Sequence, residues 1–289
     1  MYTAARGNTN GRSRKEPLIR RELLKNHRIN NILILLTQRK SMLKGQGATR
    51  SADMEAKDLQ QVRNVIASAH KDCTPAQKLQ FYDHWAQEYE EDVSVLEYNA
   101  PRLAALALDS VCDAHRESQL VLDVACGTGL VAQELQHHGF RLFHGLDGSP
   151  GMLQVAENKG LYQELKQCML GQETLPSPSD RYDAVIIVGA LSEGQVPVSV
   201  IPEMLRVTKP GGFICLTTRS NTSNLLYKTE LEQELSILQS KGLWDCVSLQ
   251  EVEKWEKATS EQEVIGESDY ISGVVYLYRK TGHIPEGHG

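Results

Sequence analysis

The stretch Val121-Leu122-Asp123-Val124-Ala125-Cys126-Gly127-Thr128-Gly129-Leu130 limits the possible folds of this chain more than any other. A β-branched run delivers the backbone to a turn with little side-chain bulk at Ala125, Gly127 and Gly129, and a helical pattern begins at Leu130. Glycine tolerates positive φ and leaves no Cβ in the way, so backbone N–H groups in such a turn can come close to a ligand. The alternation then continues. Leu120 to Val124 reads as a strand, Leu130 to His137 as a helix, Leu142 to Leu146 as a strand and Pro150 to Asn158 as a helix. Further strand-like runs fall at Lys166–Leu170, Ala184–Val188, Phe213–Thr218, 247–256 and 269–279, with helices predicted over Ser199–Val207 and Asn224–Gln239. Seven strands interleaved with helices predict an α/β fold, a doubly wound and mostly parallel sheet covered on both faces. Ahead of it, helical patterning runs from Ala56 through Val62, Val65 and Ile66, resumes after Thr74-Pro75, and returns over 101–109.

Two acids frame the glycine turn. Asp147 ends the second strand, 18 residues after Gly129, where a carboxylate points into the crevice and can accept hydrogen bonds from both hydroxyls of a ribose. Gly127-x-Gly129-x-x-Ala132 also fits a dinucleotide fingerprint, and a nicotinamide-dependent oxidoreductase is the corresponding alternative. Asp123 argues against it. Four residues before Gly127, a negative charge gains nothing beside a pyrophosphate but favours a cation, and S-adenosyl-L-methionine carries a sulfonium and an ammonium without any phosphate.

Charge divides the chain. Its 289 residues sum to a net charge of −6, yet residues 1–50 hold twelve Lys or Arg against Glu16 and Glu22, leaving −16 for the remainder. So acidic a body is a poor partner for a phosphate backbone, which excludes DNA as the expected substrate. The basic segment has too little apolar surface to offset the entropy of ordering it, so 1–53 is expected to be a disordered extension. A mitochondrial presequence shares its arginine-rich, acid-poor character, but the segment holds few serines. No apolar run approaches the ~20 residues of a membrane span. Six scattered cysteines without a CxxC pair predict reduced, mostly buried thiols and no metal site. A cytoplasmic protein is expected, with the nucleus also open to it.

The segments DVACGTG (123–129), LDGSPGML (146–153), YDAVIIVGAL (182–191) and VTKPGG (207–212) resemble, in this order and spacing, the class I S-adenosylmethionine-dependent methyltransferases over about residues 75–220. FYDHWAQEYEEDV (81–93), GQETLPSP (171–178) and TTRSNTSNLLYK (217–228) extend a closer resemblance within that class from about Ser68 to Tyr227. It implies a Rossmann-like methyltransferase domain over 54–280, lid helices included, with 281–289 as a frayed tail. It also implies that the methionine moiety lies against Ala125, Cys126, Gly127, Thr128 and Gly129, near Asp123, with Val188 or Gly189 closing that side. Asp147 and Gly148 would hold the ribose side, Met152 would face the adenine, and Gln172 and Glu173 would stand at its edge. Gly171 occupies a position where many relatives carry an Asp that accepts from the adenine amino group, so Gln172 is the substitute. Tyr82, Trp85 and Tyr89, at i, i+3 and i+7, would form one helix face capping the cofactor, whereas simple packing is the commoner fate of such a stripe.

The resemblance leaves the acceptor open between a small molecule and a protein side chain. Ser192 and Glu193 are polar candidates on its side of the crevice. His84, Glu193 and Tyr227 remain alternatives as an assisting base, with none singled out. A cofactor-binding interaction protein without turnover is the rival function, and nothing marks a self-complementary surface from which to read an oligomeric state.

Overall fold

The computed structural model describes residues 58–69, 74–112, 115–260, 263 and 268–282. The expected extension 1–53 and the end of the tail, 283–289, lie outside the described residues. Strands β1 Leu120–Val124, β2 Leu142–Asp147, β3 Glu164–Gln167, β4 Tyr182–Leu191, β5 Thr208–Arg219, β6 Trp244–Lys257 and β7 Tyr270–Lys280 form one sheet in the order β3-β2-β1-β4-β5-β7-β6. β1 to β5 run parallel, while β7 lies antiparallel between β5 and β6. The order reverses between β1 and β4, so a crevice opens there beyond the carboxyl ends of the strands.

The helices among the described residues are α1 Leu59–Ala69, α2 Pro75–Trp85, α3 Tyr89–Val95, α4 Ala100–Asp109, α5 Leu130–His137, α6 Pro150–Asn158, α7 Ile201–Val207 and α8 Leu225–Ser240. Strand period two sorts the core. Val185 and Ile187 of β4 pack with Ile201, Met204, Leu231 and Leu235 of α7 and α8, while Ala184, Ile186 and Val188 pack with Ala104, Leu108, Val131 and Leu135 of α4 and α5. Each buried Leu, Ile or Val stabilises the layer by ~1.5–3 kcal/mol relative to exposure. None of the described helices is long and apolar enough to cross a membrane. Of the five described cysteines, all free thiols, Cys112, Cys126, Cys168 and Cys215 are buried and Cys246 is exposed.

Three expectations shift. β3 spans Glu164–Gln167 rather than Lys166–Leu170, because Cys168 N–H donates to Asp147 O (2.9 Å) and the chain then turns, Gln172 and Glu173 both donating to Met169 O. Tyr89 does not share a helix with Tyr82 and Trp85. α2 ends at Trp85, whose indole N–H donates to the buried Asp92 carboxylate of α3 at 2.7 Å across the intervening turn. The turn nonetheless gathers the rings, with Trp85 at 4.9 Å from Tyr89 and 6.0 Å from Tyr82. β6 begins at Trp244, earlier than 247, because that indole is fully buried and stacks on Tyr278 at 4.4 Å. Beyond β7, Thr281 N–H donates to Leu243 O and its hydroxyl to Gly242 O.

β6 also breaks its alternation. Pairing slips between Val252, opposite Gly273, and Glu256, opposite Ile271, and the bulge turns the adjacent Trp255 and Glu256 both inward. Gly273 makes room: a Cβ there would lie 2.3 Å from the Trp255 ring.

Candidate functional site

The glycine turn joins β1 to α5 with positive φ at Ala125 (56°), Gly127 (54°) and Gly129 (89°). Ala125 pays for the left-handed conformation with ~1–2 kcal/mol of strain. Backbone bonds from Cys126 N–H to Leu146 O (3.0 Å) and from Gly129 N–H to Cys126 O (2.9 Å) hold the turn. Gly127 N–H donates to Asp147 Oδ2 and Ser149 N–H to Asp147 Oδ1, both at 2.8 Å, so the carboxylate at the tip of β2 clips the turn to the start of α6. Burial raises the Asp147 pKa, opposed by these N–H groups. A Cβ on Gly129 would meet the Tyr162 ring at 3.1 Å, whereas one on Gly127 meets nothing within 4 Å. The open face of the turn is therefore at Gly127.

Beneath the turn, Asp123 is 1% exposed. Tyr162 Oη donates to its Oδ2 at 2.7 Å, while Oδ1 has no hydrogen-bond partner, nor has the buried Thr128 Oγ1. Burial pushes the Asp123 carboxyl up to about 7, with Tyr162 lowering it and Asp147 adding a like-charge rise. Unspent acceptors beside two repelling carboxylates are the electrostatics of a site for a cation with donors.

Helix α2, expected to serve as a lid, docks directly on α6. Asp83 Oδ1 accepts from Ser149 Oγ (2.5 Å) and Gly151 N–H (2.9 Å), and a Cβ on Gly151 would stand 2.7 Å from Asp83 O. Past the tips of β4 and β5, Tyr82, Tyr89, Tyr98, Gly189, Arg219 and Glu256 line a cavity of about 60 Å³. Gly189, at φ 73°, lies where a Cβ would be 2.1 Å from Tyr98 Oη.

The structure brings Ala125, Gly127, Thr128, Gly129, Asp123, Asp147 and Gly148 around one corner, and Tyr82 and Tyr89 to the lid side. Met152 is buried in the first turn of α6, and Val188 is buried in the core layer of α4 and α5. Gln172 and Glu173 are exposed, and Glu173 spends Oε2 on Met169 N–H. Cys126 is buried, its Sγ packed against Gly145. Ser192 lines the cavity, but the Glu193 side chain is exposed. His84 is exposed with Nδ1 against Gln80 O of its own helix, and Tyr227 is buried with its hydroxyl donating to Val196 O at 2.6 Å. Asp83, Tyr98, Tyr162, Arg219 and Glu256 were not expected. Asp83 lies inside the segment 81–93 that carries the resemblance, Tyr98 follows it and Arg219 lies inside 217–228, but Tyr162 carries no local pattern, and only the bulge brings Glu256 inside.

A family model for a methyltransferase domain matches residues 121–212. Human methyltransferase-like protein 27 is 56% identical over 194 residues, covering 67% of this chain and 79% of that protein. A ubiquinone biosynthesis O-methyltransferase of Alkalilimnicola ehrlichii is 30% identical over 159 residues, 52% of this chain and 64% of that relative. Among solved structures, a complex between the Trm112 methyltransferase activator of Haloferax volcanii and a methyltransferase aligns with a TM-score of 0.53 at 16% identity, over 70% of this chain and 97% of the other, a likeness of fold.

Proposed function

This chain belongs to the class I, Rossmann-like, S-adenosylmethionine-dependent methyltransferases, and from that premise we propose that its glycine turn and the two flanking acids hold S-adenosyl-L-methionine. The observation that carries the reading is Asp123 Oδ1, buried and unpartnered beneath a turn whose open face lies at Gly127. A buried acceptor left unmade costs ~1–3 kcal/mol, which an ammonium donor recovers. Two carboxylates disfavour a diphosphate at the same place. The donor set therefore fits a sulfonium cofactor better than a dinucleotide.

When bound, that cofactor supplies an activated methyl group for in-line displacement. The chain's own residues position and enclose. Asp123 and the backbone of 125–129 orient the cationic end, Asp147 the ribose, Met152 packs behind the adenine with Gln172 and Glu173 at its rim, and Tyr82 and Tyr89 close the lid. Transfer from a sulfonium releases a neutral thioether, so alignment and exclusion of water are the main tasks. The name of the 56% identical relative states no acceptor, and the ubiquinone biosynthesis O-methyltransferase is only 30% identical, so no acceptor is inherited from either. The domain is read as 54–280, and buried free thiols support a reducing, cytoplasmic setting.

Calorimetric titration with S-adenosylhomocysteine tests the site. Loss of two charge-assisted hydrogen bonds in Asp147→Ala is expected to weaken binding about 100-fold. Unchanged affinity in that variant, or tight binding of NADH by the wild type, would remove the proposal.

A further inference from the structure

The far end of the crevice, between the lid and the tips of β4, β5 and β6, places charge inside an aromatic box. Trp85, Tyr89, Tyr98 and Trp255 form flat walls, and Arg219 and Glu256 complete the lining. Glu256 is 3% exposed, carried inward by the β6 bulge. Arg219 Nη2 stands 2.9 Å from its Oε1 but without hydrogen-bond alignment, so that buried oxygen accepts no hydrogen bond. A second carboxylate, Glu263, also acts on the same guanidinium and is itself held by Asn221 Nδ2 and Thr259 N–H, each at 3.0 Å. Burial keeps the phenols of Tyr89 and Tyr98 neutral, so neither adds nor removes charge in the working pH range. A buried carboxylate oxygen that accepts no hydrogen bond, set in a box of aromatic faces, favours a cation carrying N–H donors, through that oxygen and through the rings together. An anionic ligand would be repelled by the same carboxylate.

We propose that this cavity receives the methyl acceptor as an amine, entering as its ammonium form, with Glu256 as partner and proton acceptor. The proposal rests on the methyltransferase reading, with the sulfonium donor at the glycine turn. The acceptor nitrogen gives one N–H proton to the Glu256 carboxylate. Its freed lone pair then forms an N–C bond with the methyl carbon as the donor's S–C bond breaks, and that electron pair stays on sulfur as a neutral thioether. The product leaves as a methylammonium ion. Burial holds Glu256 above the usual carboxylate range, Arg219 limiting the rise, which suits a group that must take a proton.

The test uses the full chain and three probes of one shape: benzylammonium, benzyl alcohol and benzoate. Binding is read from the fluorescence of Trp85 and Trp255, with S-adenosylhomocysteine affinity measured on the same samples. Benzylammonium is expected to bind at least tenfold more tightly than benzyl alcohol, with benzoate weakest, and Glu256→Gln to erase that preference while S-adenosylhomocysteine still binds. Equal affinity for amine and alcohol, or preference for benzoate, overturns the proposal in the wild type alone, whether or not the variant folds. If S-adenosylhomocysteine binds while the amine gains nothing, only this proposal falls. If S-adenosylhomocysteine fails to bind, the donor site falls and takes the proposal with it.

Discussion

Alanine at position 127 and alanine at position 129 separate the ligand surface of the turn from its scaffold. Both glycines lie at positive φ, 54° and 89°, so either substitution carries backbone strain of ~1–2 kcal/mol. The surroundings of the added methyl differ. At 129 it meets the Tyr162 ring at 3.1 Å, adding overpacking of ~1–3 kcal/mol and pressing on the phenol that serves Asp123. At 127 it meets no protein atom within 4 Å and projects into open space. With ~2–4 °C of melting temperature per kcal/mol for a domain of this size, Gly127→Ala is expected to melt ~2–8 °C below wild type and Gly129→Ala ~4–20 °C below. For S-adenosylhomocysteine the order reverses in kind: Gly127→Ala keeps its fold but loses at least about tenfold in affinity, roughly 1.4 kcal/mol, because the methyl occupies the approach path. Thermal unfolding with and without the ligand, together with calorimetry, measures both quantities. Wild-type affinity in Gly127→Ala would refute close approach of the ligand to this turn. A melting loss in Gly127→Ala as large as that in Gly129→Ala would refute the assignment of open and packed faces.

Asp123 gives a pH test with a defined sign. Its folded-state pKa, pushed to about 7 chiefly by burial, exceeds the ordinary carboxylate value, so the stability tied to its proton is present in acid and is lost as pH rises from about 4 to about 7. Urea unfolding of Asp123→Asn against wild type should show the variant gaining about 1.4 kcal/mol per pH unit across that window and levelling off above it, whereas a pH-independent difference would contradict the assigned cause. In the lid, Asp83→Ala removes the acceptor for Ser149 Oγ and Gly151 N–H, and hydrogen exchange across α2 is expected to accelerate about tenfold while β1 and β4 stay protected. Equal acceleration in β1 would mean that Asp83 supports the whole domain rather than the docking of one helix.

The glycine turn and its flanking strand tips were readable because their signals are local. A strand, a glycine turn, a helix and an acid at the next strand tip are fixed by short-range backbone geometry, and the turn at 125–129 and the clip by Asp147 follow from it. The parallel strands were legible for a similar reason, since period two and apolar runs mark a sheet buried on both faces. Tyr82, Trp85 and Tyr89 suggested one continuous stripe, yet a side-chain bond between Trp85 and Asp92 divides the segment into two helices, and helical spacing alone carries no sign of that bond. Tyr162 escaped notice because its role depends on a contact 39 residues away in the chain. Arg219 and Glu256 stayed hidden for a further reason. A charged residue in a strand of alternating polarity reads as solvent-facing, and only a slip in pairing against β7 turns Glu256 inward.

Gly273 has a reach beyond its own strand. It is absent from the cavity lining, yet the hydrogen it carries in place of a methyl is what lets the Trp255 indole lie flat across β7. Any larger residue there would evict the indole and swing the neighbouring carboxylate with it, leaving the glycine turn untouched. On the proposed amine assignment, selectivity for the incoming substrate is set from a position that never meets it, and a single exchange on the last strand is expected to change what is bound there while leaving the glycine turn as it is.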